Sequence, residues 1–249
     1  MKYLLTAFLC VAFFASAFAQ TSEKIVQADS LFDNYQEEEA LKAYNQILDE
    51  DPQNFEALWR SSLLYSRLGN QLDTEKEQKE YYTLGKERAE KALSVDTTHT
   101  QSNFVMAVAM GRMALIAGSR ERVAASRDIK KFADRSIEAD STNPGPWHVL
   151  GRWNYEISDL NFAERLAANV LFGGIPEGAS NENAVEYIKK AIDLNPKFIL
   201  YYYDLAKAYE RLDEEKKAID ACKTALQKPA LVADDERIKQ DCRELIDDL

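Results

Sequence analysis

Residues 199–229 read ILYYYDLAKAYERLDEEKKAIDACKTALQKP and contain two runs of helical periodicity separated by a short charged turn. In each run, large apolar and small residues recur three or four positions apart, which places them on one face of a helix. The residues that set this spacing are Tyr202, Leu205, Ala206, Tyr209, Ala218, Ala225 and Pro229. Small residues let two helices approach closely, large ones fill the space towards the next pair, and proline stops the second helix. The stretch therefore predicts a helical hairpin that stacks on similar hairpins.

This spacing matches the tetratricopeptide repeat (TPR), except that Pro229 falls one residue early, and it recurs elsewhere in the chain. One copy opens with Trp147-His148-Val149-Leu150-Gly151 and continues with Ala184, Ala191 and Pro196; another ends with Ala40, Tyr44, Ile47 and Pro52. Extending the register predicts helix pairs at 24–52, 55–97, 100–141, 144–196 and 199–229, followed by a capping helix at 232–248. The apolar side of that capping helix comprises Ile238, Cys242, Leu245 and Ile246. The predicted fold is an all-α, TPR-like right-handed superhelix.

Three of the predicted pairs are longer than one repeat unit, and the extra length falls between their two helices. At 70–82 and 117–127 the sequence is charged and helical in pattern, which predicts longer second helices. At 157–180 the pattern instead predicts a separate inserted helix near 159–172, which Gly173-Gly174 and Pro176 end. Its apolar residues are Phe162, Leu166, Ala167, Val170, Leu171 and Phe172.

The first twenty residues, MKYLLTAFLCVAFFASAFAQ, have the pattern of a secretory signal peptide. Lys2 supplies a positive start, Tyr3 to Phe18 form an apolar run, and Ala17-Phe18-Ala19 places small residues around a cleavage point. The run is shorter than the roughly 20 residues that a spanning helix needs. We expect a signal peptide at 1–19, a repeat domain at 20–249, and a periplasmic or secreted protein associated with membranes at most peripherally.

Composition excludes several classes of function. The net charge of −11 argues against a nucleic-acid partner. The chain has no glycine-rich phosphate loop, no serine-nucleophile elbow and no zinc-ligand spacing, and its two histidines, His99 and His148, lie far apart. The sequence therefore predicts neither catalysis nor a metal or other cofactor. After signal cleavage Cys222 and Cys242 remain, either as a disulfide or as two buried thiols.

The first helix of each repeat presents a second set of residues, opposite its packing face, to the inner groove of the superhelix. These candidate binding residues are Trp59, Arg67, Phe104, Arg112, His148, Arg152, Tyr155, Tyr203, Lys207 and Arg211. The acids at the same positions are Glu56, Glu156 and Glu210, so basic residues outnumber them. A locally positive stretch follows Arg112, comprising Arg120, Arg122, Arg127, Lys130, Lys131 and Arg135.

Arginines beside aromatic rings suit an anionic peptide, a C-terminal carboxylate or a lipid headgroup. The same residues also fit a purely structural role, in which the arginine stems pack on apolar neighbours and the guanidinium groups pair with nearby glutamates. If the groove binds a ligand, reversing the charges of Arg112 and Arg152 together should abolish binding and leave the helices intact. Loss of the fold would instead indicate the structural role.

The region from Trp147 to Pro196 resembles the regulator of microtubule dynamics family. The likeness is carried by Leu150-Gly151-Arg152-Trp153-Asn154-Tyr155, Glu164-Arg165, Ala167 or Ala168, Leu171-Phe172-Gly173, Pro176, Ala184-Val185-Glu186-Tyr187 and Ala191-Ile192-Asp193-Leu194-Asn195-Pro196. The resemblance implies a helical repeat domain that acts by binding, without catalytic residues. Eukaryotic members are associated with microtubules and membrane contact sites, and lipid binding is discussed for the domain. The secretion signal departs from that pattern and favours a bacterial envelope protein.

Two functions remain open at this point. The first is an interaction or scaffold protein that binds a protein or peptide partner through the Arg/aromatic groove, with the inserted helix shaping one wall. The second is a binder or carrier of a phospholipid or other anionic amphiphile, in a pocket that Phe162, Leu166, Val170 and Phe172 border with Arg152 or Arg165 at its mouth. A cavity of a few hundred Å³ or more would favour the second function.

Overall fold

The computed structural model of the protein describes residues 22–117, 119–160 and 178–249, and within these ranges the chain forms eleven helices and no strand. The helices are α1 (22–33), α2 (Glu37–Glu50), α3 (Phe55–Gly69), α4 (Glu75–Val95), α5 (Thr100–Ala117), α6 (Ser119–Ala139), α7 (Pro144–Ser158), α8 (Asn181–Leu194), α9 (Ile199–Glu210), α10 (Glu215–Gln227) and α11 (Asp234–Asp248). They confirm the five predicted pairs and the helix that follows them.

Polar residues just before several helices set their starting points. Asn54, Thr74, Asn143 and Ser180 each accept a backbone N–H of the following first turn through a side-chain oxygen. This contact satisfies one of the N–H groups that a helix leaves unpaired at its start. The longer second helices predicted for the second and third pairs are also confirmed, because α4 and α6 each have 21 residues.

Small residues bring the two helices of a pair together, as the spacing predicts. Ala40, Ala184, Ala191 and Ala218 are all completely buried between helices. At Gly151 a side chain would collide with Ile188, so α7 and α8 reach their close contact only because glycine has no Cβ.

The first helices form an inner layer, and each second helix packs behind its partner. α3, α5, α7 and α9 contact one another in that order. The superhelix also brings its first and last parts together. The rings of Tyr35 and Phe198 lie 6.2 Å apart, and Asn70 Nδ2 donates to Asp234 Oδ2 at 3.0 Å across 164 residues of sequence. The inner surface is therefore bounded by α3, α5, α7, α9 and the C-terminal helix.

Helix α11 covers the end of the last repeat. Ile238 and Cys242 are fully or almost fully buried, and Leu245 and Ile246 pack at the edge of the same cluster, as predicted for a capping helix. Cys222 of α10 and Cys242 of α11 are buried free thiols. The structure thus has the second of the two arrangements that the sequence left open.

The predicted signal peptide at 1–19 lies outside the described residues. The same holds for most of the predicted inserted helix, including Phe162, Leu166, Val170 and Phe172.

Candidate binding groove

Among the described residues, the inner surface includes two separate concave regions, whereas the sequence predicted an inner groove. We call the larger one the central cavity; it encloses about 380 Å³ between α5, α6, α7, α9 and α11. We call the smaller one the aromatic pocket; it encloses about 240 Å³ near the start of the superhelix. Between them, the ring of His148, which lines the central cavity, lies 4.6 Å from the ring of Tyr201, which lines the aromatic pocket.

The wall of the central cavity is amphipathic. Its principal apolar residues are Ala107, Val108, Ala114, Leu115, Ile129, Val149, Trp153, Ile157, Leu200, Tyr203 and Ile238. Its charged residues are Arg112, Arg122, Arg152, Lys207 and Arg237 against Glu156, Asp204 and Asp241. Five cations thus face three carboxylates in a chain whose overall charge is strongly negative.

Asp204 is the centre of the polar network in this cavity. Its carboxylate is only 3% exposed, and it accepts hydrogen bonds from Arg152 Nη1 at 2.8 Å and His148 Nε2 at 2.7 Å. Burial opposes ionisation, but the charge of Arg152 and the hydrogen bond from His148 outweigh it and hold the pKa of Asp204 well below its usual range. The nearby carboxylate of Asp204 in turn raises the pKa of Arg152. This network holds α7 against α9.

Arg112 and Lys207 face the same cavity in a different state. Among the described residues, neither has a carboxylate at ion-pair distance. Arg112 Nη1 donates to the amide oxygen of Asn70 at 2.6 Å, and the Lys207 amine lies over the rings of Tyr155 and Tyr203. Burial lowers the pKa of both side chains, and the positive charge of Arg152 lowers both further. The carboxylate of Asp204 lies near both cations and opposes part of this lowering, but it forms its ion pair with Arg152 rather than with either of them.

A polar bridge joins the cavity to the capping helix. Asn70 accepts from Arg112 and donates to Asp234, and Asp234 pairs with Arg237 at 2.7 Å.

The buried Nε of Arg122 also belongs to this cavity, and it has no hydrogen-bond partner in the part of the chain that the structure describes. Unsatisfied buried donors are rare in folded proteins, and because this atom is buried it is not itself a ligand contact in this structure.

The ten predicted binding residues are divided among three places. Arg112, His148, Arg152, Tyr203 and Lys207 line the central cavity; Trp59, Arg67 and Phe104 line the aromatic pocket; Tyr155 and Arg211 line neither. Arg211 stacks 3.4 Å from the ring centre of Tyr155, donates to its carbonyl oxygen at 2.6 Å and pairs with Asp159 at 3.3 Å. These last two residues serve the packing of α7 against α9.

Arg67 shows how the aromatic pocket differs from the central cavity. Its Nη1 lies 3.1 Å from Glu37 Oε1, and its guanidinium lies over the rings of Phe32 and Phe198. Trp59 donates to Glu56 at 2.9 Å, and Phe104 packs against Gly145. Here the cation is compensated inside the protein.

The predicted positive stretch after Arg112 lies on α6. Arg122 reaches the cavity and pairs with Glu156 at 3.5 Å, whereas Lys130 pairs with Asp134 at 2.7 Å. Arg120, Lys131 and Arg135 are exposed on α6.

The cavity residues that come from the capping helix and from the turn after α3 were not among the predicted binding residues. Asp241 and Arg237 flank the apolar face of α11, and Asn70 follows α3, so no repeat register points to any of them. Asp204 was also missed, although an acidic residue inside the apolar run YYYDLA is a recognisable signal.

Two features are absent from the described residues. No group of three His, Cys, Asp or Glu side chains in 22–117, 119–160 and 178–249 has the arrangement of a metal site. In the same ranges, no helix combines the length and the apolar character needed to cross a bilayer.

The helix pairs, the inner layer and the concave site define a TPR-like helical repeat protein. A solved structure with this fold is a thermophilic TPR protein from Thermus thermophilus, with a TM-score of 0.63 and 14% identity over 91% of this chain and 98% of that one. The chain belongs to the family described as regulator of microtubule dynamics protein 1-3, whose model matches residues 25–249.

Curated relatives agree with this assignment. Regulator of microtubule dynamics protein 3 of Rattus norvegicus is 30% identical over 227 residues, which cover 88% of this chain and 47% of the relative. Regulator of microtubule dynamics protein 2 of Homo sapiens is 26% identical over 195 residues, covering 78% and 47%. The chain therefore spans about half the length of the curated relatives it matches.

Proposed function

We propose that the protein is a non-catalytic interaction protein of the bacterial envelope whose central cavity receives an anionic group of a protein or peptide partner. The TPR-like fold supports an interaction role, because such superhelices present extended concave surfaces to their partners. The curated relatives are named as regulators rather than as enzymes.

The observation that carries the proposal is the state of Arg112 and Lys207. Both are partly buried at the cavity wall, and neither has a carboxylate at ion-pair distance among the described residues. Burying a cation is unfavourable unless a countercharge accompanies it. An acidic side chain or a C-terminal carboxylate of a partner would supply that charge, with the planar guanidinium of Arg112 suited to two parallel hydrogen bonds.

Arg152, which is paired with Arg112 in the charge-reversal experiment described above, has a different role. It already holds Asp204 and Glu156, at 2.8 and 3.0 Å. Reversing its charge would place three acidic groups together inside the protein, so the fold would be destabilised whether or not a ligand binds. Arg112 and Lys207 are therefore the pair to test.

A second candidate function follows from the size and lining of the cavity. Its volume of about 380 Å³ falls within the range of roughly 300–1,000 Å³ typical of small-molecule sites. The apolar wall beside the two cations suits an anionic amphiphile such as a phospholipid. In this candidate function the stretch 159–172 borders the site. That stretch lies almost wholly outside the described residues.

The binding test uses Arg112→Gln with Lys207→Gln, which remove both charges without introducing new ones. The probes are a random nonapeptide library with free C-terminal carboxylates and the same library with C-terminal amides. We expect the wild type to select acidic or free-carboxylate peptides and the double variant to lose about tenfold or more in affinity. The matched control is Lys223→Glu, which changes an exposed charge on α10.

Circular dichroism of the double variant decides between binding and structure. Unchanged helicity and melting with lost peptide binding support the proposal. Selection of the same peptides by the double variant would refute it. Native mass spectrometry of the protein purified from its own cells, with lipid extraction, tests the second candidate: a phospholipid at fixed stoichiometry would support it, and bare protein would count against it.

The envelope location is supported by the signal-like pattern of Lys2, the apolar run 3–18 and Ala17-Phe18-Ala19. Expression of the full chain in a bacterial host, followed by fractionation and mass measurement, tests it. A periplasmic protein that starts after Ala19 is the expected result. A full-length protein in the cytoplasm would contradict this part of the proposal.

A further inference from the structure

The aromatic pocket is assembled from distant parts of the chain. Phe32 and Tyr35 come from the first repeat, Trp59 from the second, and Phe198 and Tyr201 from the fifth. Several of these rings meet edge to face, with centroid distances of 6.0 Å for Phe32–Trp59 and 6.2 Å for Tyr35–Phe198. Ring edges and faces are both available in such an arrangement, and a further ring can pack against either.

Tyr35 enters this pocket with a strained backbone. Its φ is +59°, a left-handed conformation that glycine adopts freely and that is unfavourable for a bulky side chain. The turn requires this conformation, because Tyr35 N donates to Phe32 O at 3.0 Å and Gln36 N to Leu31 O at 2.9 Å at the end of α1.

The fifth repeat has the same turn with a different residue. Asp213 has a φ of +56° and, like Tyr35, lies five positions before the small residue of the next helix, Ala218 in one case and Ala40 in the other. Aspartate tolerates this conformation better than tyrosine does. A strained tyrosine whose ring lines a pocket is the kind of outlier that points to a functional role.

The charge of the pocket indicates what it can hold. Arg67 already lies over the rings of Phe32 and Phe198 and is paired with Glu37. Arg67 would therefore repel a second cation, and its guanidinium already covers one face of each of these two rings. The other charged lining residue is Asp33, which is exposed, so water and salt screen its charge. An uncharged group fits this environment.

We propose that the aromatic pocket is a second binding site, which takes one uncharged aromatic side chain from a partner peptide. Its volume of about 240 Å³ is below the range of roughly 300–1,000 Å³ typical of whole small-molecule ligands and suits a single side chain. Buried aromatic anchors in such pockets contribute much of the binding energy of protein interfaces. The site does not depend on Arg112 or Lys207, so it stands or falls separately from the function proposed for the central cavity.

The test uses saturation-transfer NMR with three probes: N-acetyl-tryptophan amide, N-acetyl-leucine amide and tetramethylammonium. Tyr35→Gly removes one ring of the pocket while keeping the left-handed turn unstrained. Phe198→Leu removes a second ring while keeping an apolar side chain. Asp213→Gly is the matched control, because it makes the same backbone change at the equivalent turn outside the pocket.

We expect the tryptophan probe to bind the wild type and Asp213→Gly equally, and to bind Tyr35→Gly and Phe198→Leu about three- to tenfold more weakly. Preference for tetramethylammonium would overturn the proposal in favour of a cation site. Equal binding of the leucine probe, unchanged binding in both ring variants, or no binding of any probe would also overturn it. Circular dichroism of each variant confirms that the fold is retained.

Discussion

Arg67 and Arg112 occupy the same position of α3 and α5, yet the structure uses them differently. Arg67 is paired with Glu37 and stacked on Phe32 and Phe198, so its charge contributes to the packing of the first repeats against the fifth. Among the described residues, Arg112 hydrogen-bonds to the neutral amide of Asn70 and forms no ion pair, and it is repelled by Arg152 and attracted by Asp204 and Asp234. A repeat position fixes where a side chain lies, but neighbouring repeats decide whether its charge is compensated.

The largest effect that we expect is from Asp204→Ala, which removes the only carboxylate that holds both Arg152 and His148 in the described part of the cavity. Loss of one partner from a buried ion pair typically costs about 3–5 kcal/mol. The free energy of unfolding, measured by urea denaturation, should fall by that order. Asp220→Ala, at an exposed site on α10, should stay within about 0.5 kcal/mol of wild type. A loss of less than about 1 kcal/mol at Asp204 would show that the network is not structural.

Acid should weaken the same network. The pKa of Asp204 is lowered in the folded protein, because Arg152 and His148 favour its charged form more than burial opposes it. A lowered folded-state pKa gives stability that is present above the unfolded value, about 4, and is lost as the pH falls towards the folded value. Melting temperatures measured from pH 6 down to pH 2.5 should therefore drop less for Asp204→Asn than for wild type. Parallel curves for the two proteins would contradict this assignment.

The helix pairs could be predicted from the sequence because their causes are local. Alanine and glycine spacing, helix-start residues and prolines all act within a few positions. The predicted first residues of α3, α7 and α9 therefore agree with the structure to within two residues. The inner-face residues could also be listed, because register follows from helical geometry.

The division of that face into a cavity and a pocket depends on contacts across the superhelix, which no local pattern records. The bridge from Arg112 through Asn70 to Asp234 joins residues 42 and 164 positions apart. Likewise, nothing near Arg67 in sequence indicates that Phe198 lies beneath it. The sequence could therefore nominate the cations of the groove, but it could not say which of them would be neutralised.

Substituting methionine at the two matched arginines tests that distinction directly. Arg67→Met leaves the buried carboxylate of Glu37 without its partner, so the free energy of unfolding should fall by about 1–3 kcal/mol. Arg112→Met replaces a partly buried cation that has no ion pair among the described residues with an apolar side chain of similar length, so stability should be unchanged or rise by about 1 kcal/mol. Urea denaturation of both variants measures the difference. Equal losses would mean that Arg112 is as structural as Arg67.

The smallest effects concern the two left-handed turns, and a double-mutant cycle separates strain from packing there. Asp213→Gly should raise the free energy of unfolding by only a few tenths of a kcal/mol, because aspartate already tolerates the conformation. Tyr35→Gly relieves strain of roughly 1–2 kcal/mol but loses a ring contact with Phe198 of roughly 0.5–1.5 kcal/mol, so the two should nearly cancel.

In the Phe198→Leu background that ring contact is already gone, and Tyr35→Gly should then stabilise the protein by about 1 kcal/mol. The non-additivity between the two sites isolates what the tyrosine ring contributes across the junction of the first and fifth repeats. If Tyr35→Gly were equally stabilising in both backgrounds, the ring would contribute nothing to the fold. A role in ligand binding at the aromatic pocket would then be the remaining explanation for a tyrosine at this strained position.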